Sequence, residues 1–303
     1  MKKMAKKKAR REIDLEQYYT QPELAQRLIK KTTEILQLNK EKDFLVEPSA
    51  GDGSFSDKII EEGFKNYKFF DIEPMKEGIN KQDFFLLQDR FDGSVFIGNP
   101  PFGYKGKMAI DFINHSFEIG AKYVAFILPY TFSIRYSVQN KIKRDASLIY
   151  EEIIVENSIY KNKKNNKKYE IKCAFQIWQS SPSTKDIRIK VRPRLKHPDF
   201  QVHMYNLDAE RKSKKWFEQS WDFCIYRQGF FDYKARFFPS DLPNLDLEKY
   251  QYMIFKANNK KVLNRLMKMD YETMSKRNML RPGISVADIV EEYYMKYPSK
   301  KKK

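Results

Sequence analysis

The chain predicts a doubly wound α/β fold, a largely parallel sheet covered by helices, with a smaller α+β extension after it. Three observations lead there. Short apolar runs alternate with helix-period segments between residues 20 and 178. A strand, a glycine turn and a helix stand in direct succession at residues 44–62. Four polar clusters each follow directly on one of the first four strands, which collects them on the carboxyl edge where open sheets bind ligands.

The elements justify this in order. Gln17-Tyr-Tyr-Thr-Gln-Pro-Glu23 opens a helix, with Thr20 expected as its N-cap and Glu23 completing a capping box. Leu24, Leu28, Ile35 and Leu36 form its apolar face. Phe44-Leu-Val46 is a short strand, followed by Glu47-Pro-Ser-Ala-Gly-Asp-Gly53 and a helix over Ser54–Glu62. Gly51 and Gly53 let backbone approach a ligand closely. Glu47 and Asp52 make this turn acidic, so it repels a pyrophosphate and suits a ligand carrying an amino group and a sulfonium. Tyr67–Phe70 is the second strand and ends in Asp71-Ile-Glu-Pro74. Asp71 stands where an acid binds ribose hydroxyls in such sheets, Ile72 can pack on an adenine ring, and Glu73 is the competing acid. A third short strand ends at Lys81-Gln-Asp83-Phe84, where Asp83 can accept from an adenine amino group or cap a helix.

Val95-Phe-Ile97 is the fourth strand and runs into Gly98-Asn-Pro-Pro-Phe102. Two successive prolines fix φ twice and remove two backbone donors, giving a stiff corner. The Asn99 amide oxygen beside free carbonyls can accept the two hydrogens of one exocyclic amino group, and Phe102 offers an aromatic face for a flat heterocycle. Lys107–Ile119 reads as a helix, Lys122–Leu128 as the fifth strand, Tyr136–Ser147 as a helix, and Glu151–Val155 and Ile171–Trp178 as two further strands joined by a Lys/Asn loop.

Composition bounds the function. At 303 residues, 41% hydrophobic and 15% aromatic, the chain can bury a substantial core, which excludes global disorder. Its net charge is +18, and sixteen of those charges lie in three runs: 1–11, 161–168 and 300–303. Such runs are either solubilising ends or phosphate-binding arms with salt-dependent grip. Cys173 and Cys224 show no pairing or metal spacing, Cys173 reads as a core residue, and three scattered histidines give no metal site. No apolar run is long enough to span a bilayer, and the basic start leads into Glu12-Ile-Asp-Leu-Glu16 rather than a signal peptide, so a cytoplasmic, reduced setting is expected.

Taken together, Tyr19-Thr20-Gln21-Pro22, Glu47 to Gly53, Asp71, Asp83-Phe84 and Asn99 to Phe102 resemble, in order and spacing, the gamma-class DNA adenine-N6 methyltransferases. The resemblance covers residues 14–178. Gln21, inserted between Thr20 and Pro22, and a short C-terminal segment depart from the family pattern. It implies a Rossmann-like domain that uses S-adenosylmethionine as methyl donor, with Tyr19, Thr20, Glu47, Pro48, Ala50, Gly51, Gly53, Asp71, Ile72, Asp83, Phe84 and Asn99 lining the cofactor pocket. Asn99, Pro100, Pro101 and Phe102 are then the catalytic corner, acting on an adenine flipped out of a DNA duplex. A second aromatic for that base, from the loop between the last two strands, would be Tyr160, with Lys161, Lys163, Lys164, Lys167 and Lys168 on neighbouring phosphates. A cognate restriction nuclease is an implied partner, and monomer and dimer both stay open.

Residues 1–13 then read as a basic arm, 14–179 as the catalytic domain, 180–298 as a target-recognition or accessory region, and 299–303 as a lysine tail. Ser180–Thr184 resembles a linker. Ile187–Arg192 alternates apolar and basic residues as an exposed strand would, and Val262–Met269 and Val286–Tyr294 read as helices. Arg192, Arg194, Arg227 and Arg236 are candidates for base or phosphate contacts. The alternatives are an RNA adenine methyltransferase sharing Asn-Pro-Pro-Phe, a protein glutamine methyltransferase, or a catalytically silent nucleic-acid-binding protein; the intact Asn99 and glycine turn speak against the last.

Overall fold

The computed structural model describes residues 20–103, 106–154, 159–161, 168–170, 172–207, 214–277 and 282–298. Contacts divide the chain between Lys190 and Val191 into two units.

The first unit is built on a seven-stranded sheet. Its strands are β1 (Phe44–Glu47), β2 (Asn66–Asp71), β3 (Asn80–Lys81), β4 (Val95–Gly98), β5 (Tyr123–Pro129), β6 (Ser147–Ile154) and β9 (Cys173–Gln179). The order is β3-β2-β1-β4-β5-β9-β6. The first five strands are parallel, while β9 runs antiparallel to both β5 and β6. This is the doubly wound architecture expected. A two-stranded ribbon, β7 (Ile159–Lys161) and β8 (Lys168–Glu170), lies between β6 and β9 in sequence.

Strands buried on both faces need apolar residues of both parities, and these strands have them. Val46, Phe96, Val124 and Phe126 pack with Ile110, Ile113 and Phe117 of α3 (Lys107–Glu118). The opposite-parity residues Leu45, Ile97, Ala125 and Ile127 are equally buried. The helices α1 (Pro22–Leu36) and α2 (Ser54–Glu61) bury Leu24, Leu28 and Ile29, and Phe55 and Ile59. Cys173 and Cys224 are both fully buried, as the core reading of Cys173 expects.

Three expectations are corrected. The helix expected over residues 136–147 is two single turns, α4 (Thr131–Ile134) and α5 (Tyr136–Gln139), because Arg135 is extended between them and Ser147 already starts β6. Residues 187–192 form no strand. Ile187 N–H donates to the Leu148 carbonyl, and Ile189 N–H to Gln139 Oε1, so the segment is fastened irregularly to the first unit. Residues 181–183 are likewise tied down, with Ser147 Oγ donating to the Ser181 carbonyl and accepting from Ser183 N–H.

The second unit carries a three-stranded antiparallel sheet that sequence patterning did not reveal. Its strands β10 (Phe200–Tyr205), β11 (Phe223–Tyr226) and β12 (Tyr252–Ala257) lie in the order β10-β12-β11. Phe200, Phe223, Ile225, Met253 and Phe255 pack with residues of α6 (Lys260–Met267), α7 (Tyr271–Ser275) and α8 (Val286–Lys296). Tyr205, Cys224, Tyr252 and Ile254 form a second cluster with Phe217 and Trp221. Among the described residues, no helix is long and apolar enough to cross a membrane.

Gly98 closes β4 with φ +152°, and a Cβ placed there would lie 3.3 Å from Glu47 Cγ. The backbone conformation favours glycine, and a side chain there would press on Glu47. Gly98→Ala should destabilise the first unit by about 1–3 kcal/mol, read as a lowered midpoint in urea unfolding with an unchanged slope; an unchanged midpoint would show that the approach to Glu47 is loose.

Candidate functional site

The strand order reverses between β1 and β4, which pair in parallel with Leu45 opposite Val95 and Val46 opposite Phe96. Chains leaving such neighbours depart in opposite directions and leave a crevice at their carboxyl ends. The glycine turn follows β1 and the Asn-Pro-Pro-Phe corner follows β4, so the fold brings these two motifs to the same crevice.

The start of α1 joins them there. Thr20 does not cap the helix, and the expected capping box does not form. Gln21 is the N-cap and Pro22, whose fixed φ suits the first helical position, starts the helix, so Thr20 falls one residue outside it. The buried Thr20 hydroxyl instead accepts from Asn99 Nδ2 at 3.2 Å. Ser49 Oγ donates to the Asn99 main-chain carbonyl at 3.4 Å. With Nδ2 turned to Thr20, the Asn99 amide has a defined orientation, its oxygen on the opposite side. Sequence reading missed Ser49, which carries no signal beyond its place in the turn.

Glu47 is buried, with 2% of its surface exposed. The Ser56 backbone N–H in the first turn of α2 favours its charged form, and its Oε2 has no hydrogen-bond partner among the described residues. Burial pushes its carboxyl well above the usual carboxylate range, and Asp52, Asp71 and Asp57 push it the same way. A buried carboxyl oxygen without a partner costs free energy, which a donor entering from a ligand would offset.

Asp71 holds the turn together. Its Oδ2 accepts from Gly51 N–H at 2.8 Å and its Oδ1 from Glu73 N–H at 2.8 Å. Gly53 has φ +93° and is covered by Lys76, whose Nζ is 2.6 Å from both Asp57 oxygens. Asp83 takes its capping role, accepting from Phe85 N–H at 2.9 Å ahead of a 3-10 turn at Phe84–Leu86. Phe84 is buried between Phe96, Phe112 and His115 rather than facing a ligand. Ile72, Phe85 and Leu86 are exposed. Pro48, Ala50 and Pro100 are buried, while Gly51 and Pro101 are half-buried.

Phe102, expected to present its ring, is 6% exposed. To stack on a base it would have to be uncovered. Tyr19, Lys163, Lys164 and Lys167 lie outside the described residues, as do the side chains of Tyr160, Lys161 and Lys168. Of the four arginines singled out, three serve their own unit. Arg194 pairs with Glu291 at 3.2 Å and stacks over Tyr294. Arg227 donates to Gln251 Oε1. Arg236 donates to the carbonyls of Tyr233, Lys234, Ala235, Met267 and Met269, and is a clamp rather than a free base reader. Arg192 is exposed and makes no ion pair among the described residues.

No protein-family model matches the chain, and no curated protein of similar sequence was found. Solved structures offer more distant likenesses. A Pyrococcus horikoshii protein provisionally described as an RNA methyltransferase aligns at 17% identity and TM-score 0.43, over 56% of this chain and 88% of that one. The modification subunit of a provisionally assigned type I restriction enzyme from Vibrio vulnificus aligns at 12% identity and TM-score 0.40, over 66% of this chain and 49% of that one. Magnesium protoporphyrin IX methyltransferase from Synechocystis, solved with bound S-adenosylmethionine, aligns at 11% identity and TM-score 0.37, over 51% and 79%. At these values nothing about substrate or cofactor passes from those proteins to this chain.

Glu47 yields a stability prediction. Because its folded pKa is raised, its favourable contribution is complete below the ordinary value of 4.5 and is lost as pH rises through the raised folded value. Glu47→Gln, which cannot ionise, should therefore match the parent's melting temperature at about pH 4 and exceed it by several degrees at about pH 8. Equal melting temperatures at both pH values would show that Glu47 is not strained in the crevice.

Proposed function

We propose that this chain is an S-adenosylmethionine-dependent DNA adenine-N6 methyltransferase. The observation that carries it is the junction of Thr20, Asn99 and the unpartnered Glu47 oxygen at the point where the strand order reverses. Its motifs stand in the order of the gamma-class family, and the crevice fits such a cofactor: an orphaned, buried carboxyl oxygen among further acids suits a ligand with an ammonium group and a sulfonium.

Glu47 takes the cofactor's amino group, which supplies the missing donor for Oε2 and draws its carboxyl toward the ionised form. Gly51 and Gly53 allow close backbone approach. Asp71 or its exposed neighbour Glu73 meets the ribose hydroxyls. Ile72 and Asp83 meet the adenine ring and its amino group. When bound, the cofactor supplies an electrophilic methyl carbon.

The rest is positioning. The amino lone pair of adenine is delocalised into its ring, which makes it a weak nucleophile. Asn99 Oδ1 and the Pro100 carbonyl accept the two amino hydrogens, localise the lone pair and aim it. Two successive prolines keep these acceptors from drifting, and the Thr20 hydroxyl sets which end of the Asn99 amide faces the base. No general base is required before attack. The basic runs at 1–11, 161–168 and 300–303 supply phosphate contacts for a duplex from which the base has been extruded.

The test is labelled methyl transfer from S-adenosylmethionine to duplex DNA, RNA and protein, with the product base identified. N6-methyladenine in DNA is expected. Asn99→Ala should lower the transfer rate by on the order of 10²–10³-fold while cofactor affinity stays within a few-fold of the parent. Transfer to RNA or protein alone would replace the substrate class, and a fully active Asn99→Ala would remove the mechanism.

A further inference from the structure

The exit of β5 carries a cation–aromatic pair that this mechanism does not use. The parallel register with β4 sets Gly98 opposite Phe126, so Tyr130, just past the end of β5, follows the same edge as the Asn-Pro-Pro-Phe corner. A second link fixes the two segments together: a Cβ at Gly106 would lie 3.0 Å from Phe132 Cε2. The antiparallel register with β9 sets Pro129 opposite Cys173, and Tyr130 N–H donates to the Lys172 carbonyl at 3.2 Å. Lys172 Nζ then sits 3.8 Å from the centroid of the Tyr130 ring.

The ammonium is held but not neutralised. A lysine side chain is ordinarily a mobile charge with many rotamers open to it; here an aromatic face restrains it. Lys172 is exposed and makes no ion pair among the described residues. On the same turn, Ser133 Oγ is buried without a hydrogen-bond partner, and Ser133 N–H donates to the Tyr130 carbonyl at 3.0 Å. Adjacent strands are about 4.8 Å apart. The pair therefore stands one to two strand spacings along the carboxyl edge from β4, away from the crevice between β1 and β4.

A base in the crevice brings its own sugar–phosphate backbone to that edge. We propose that Lys172, seated on Tyr130, binds a backbone phosphate flanking the extruded nucleotide. This rests on the reading above that the crevice receives a base from DNA. An ammonium that is already placed loses little further freedom on meeting a phosphate, so Lys172 positions the strand while Asn99 holds the base. Phosphate contacts of this kind fix register without reading sequence.

The first test uses the unaltered protein. Lysines are modified with an amine-reactive reagent with and without a 30-base-pair adenine-containing duplex, and modification at Lys172 is quantified by mass spectrometry. Strong protection of Lys172 by the duplex is expected. A chain that binds and methylates DNA while leaving Lys172 unprotected would overturn the phosphate contact and leave the proposed activity standing. A chain that binds no DNA would sink both. The second test is the salt dependence of duplex binding. Lys172→Met should flatten the slope of log K against log salt by about 0.9, the value of one phosphate contact on duplex DNA. Lys172→Arg should keep the parent slope, and the affinity for S-adenosylmethionine should be unchanged in both. An unchanged slope in Lys172→Met would overturn the assignment.

Discussion

One constraint governs this structure: β1 and β4 must pair in parallel although their chains leave in opposite directions along the sheet. That pairing opens a crevice at their carboxyl ends, and everything of chemical interest in the first unit hangs on its rim. It brings the Glu47 side chain close against Gly98, whose positive φ favours glycine. It also brings Asn99 within reach of Ser49 and Thr20. Residues 20, 47 and 99 are far apart in sequence, and nothing local holds them together. The sheet does.

The electrostatics of the crevice follow from the same packing. A carboxyl group buried beside Asp52, Asp71 and Asp57 is held well above the usual carboxylate range. Both oxygens of Asp71, by contrast, accept backbone N–H groups, from Gly51 and Glu73. Two acids at the ends of neighbouring strands thus divide the work: Asp71 shapes the glycine turn, and Glu47 is kept short of a partner. Lys76, bound to Asp57 above Gly53, adds a positive charge to the outer side of the turn.

Much of this was legible in the sequence, and the failures have physical causes. The parallel strands β1, β4 and β5 announce themselves as short apolar runs because both of their faces are buried. The motifs could be assigned to one edge because each follows a strand. Thr20 was misread: its spacing to Glu23 fits a capping box, but the helix starts at Pro22 with Gln21 as its N-cap, which leaves Thr20 one residue outside, and a hydrogen bond to Asn99, seventy-nine residues away, takes the cap's place. The three-stranded sheet of the second unit was missed because its strands are separated by long irregular stretches and carry aromatic residues on both faces, so no period-2 alternation stands out. Arg194, Arg227 and Arg236 looked free because a sequence cannot show Glu291, Gln251 or a ring of carbonyls folding back on them. Lys172 drew no attention for the opposite reason: its partner is an aromatic ring rather than an acid.

The central claim is that the crevice between β1 and β4 is built around a cationic methyl donor, with Glu47 waiting for its amino group. Calorimetric titration with S-adenosylmethionine in two buffers of different ionisation enthalpy tests this most directly. The account predicts that roughly one proton is released per cofactor bound at a pH below the raised Glu47 value, because the ligand's ammonium restores the ionised carboxylate, and that Glu47→Gln abolishes the release. Binding with no proton exchange in the parent protein, or no binding at all, would contradict it.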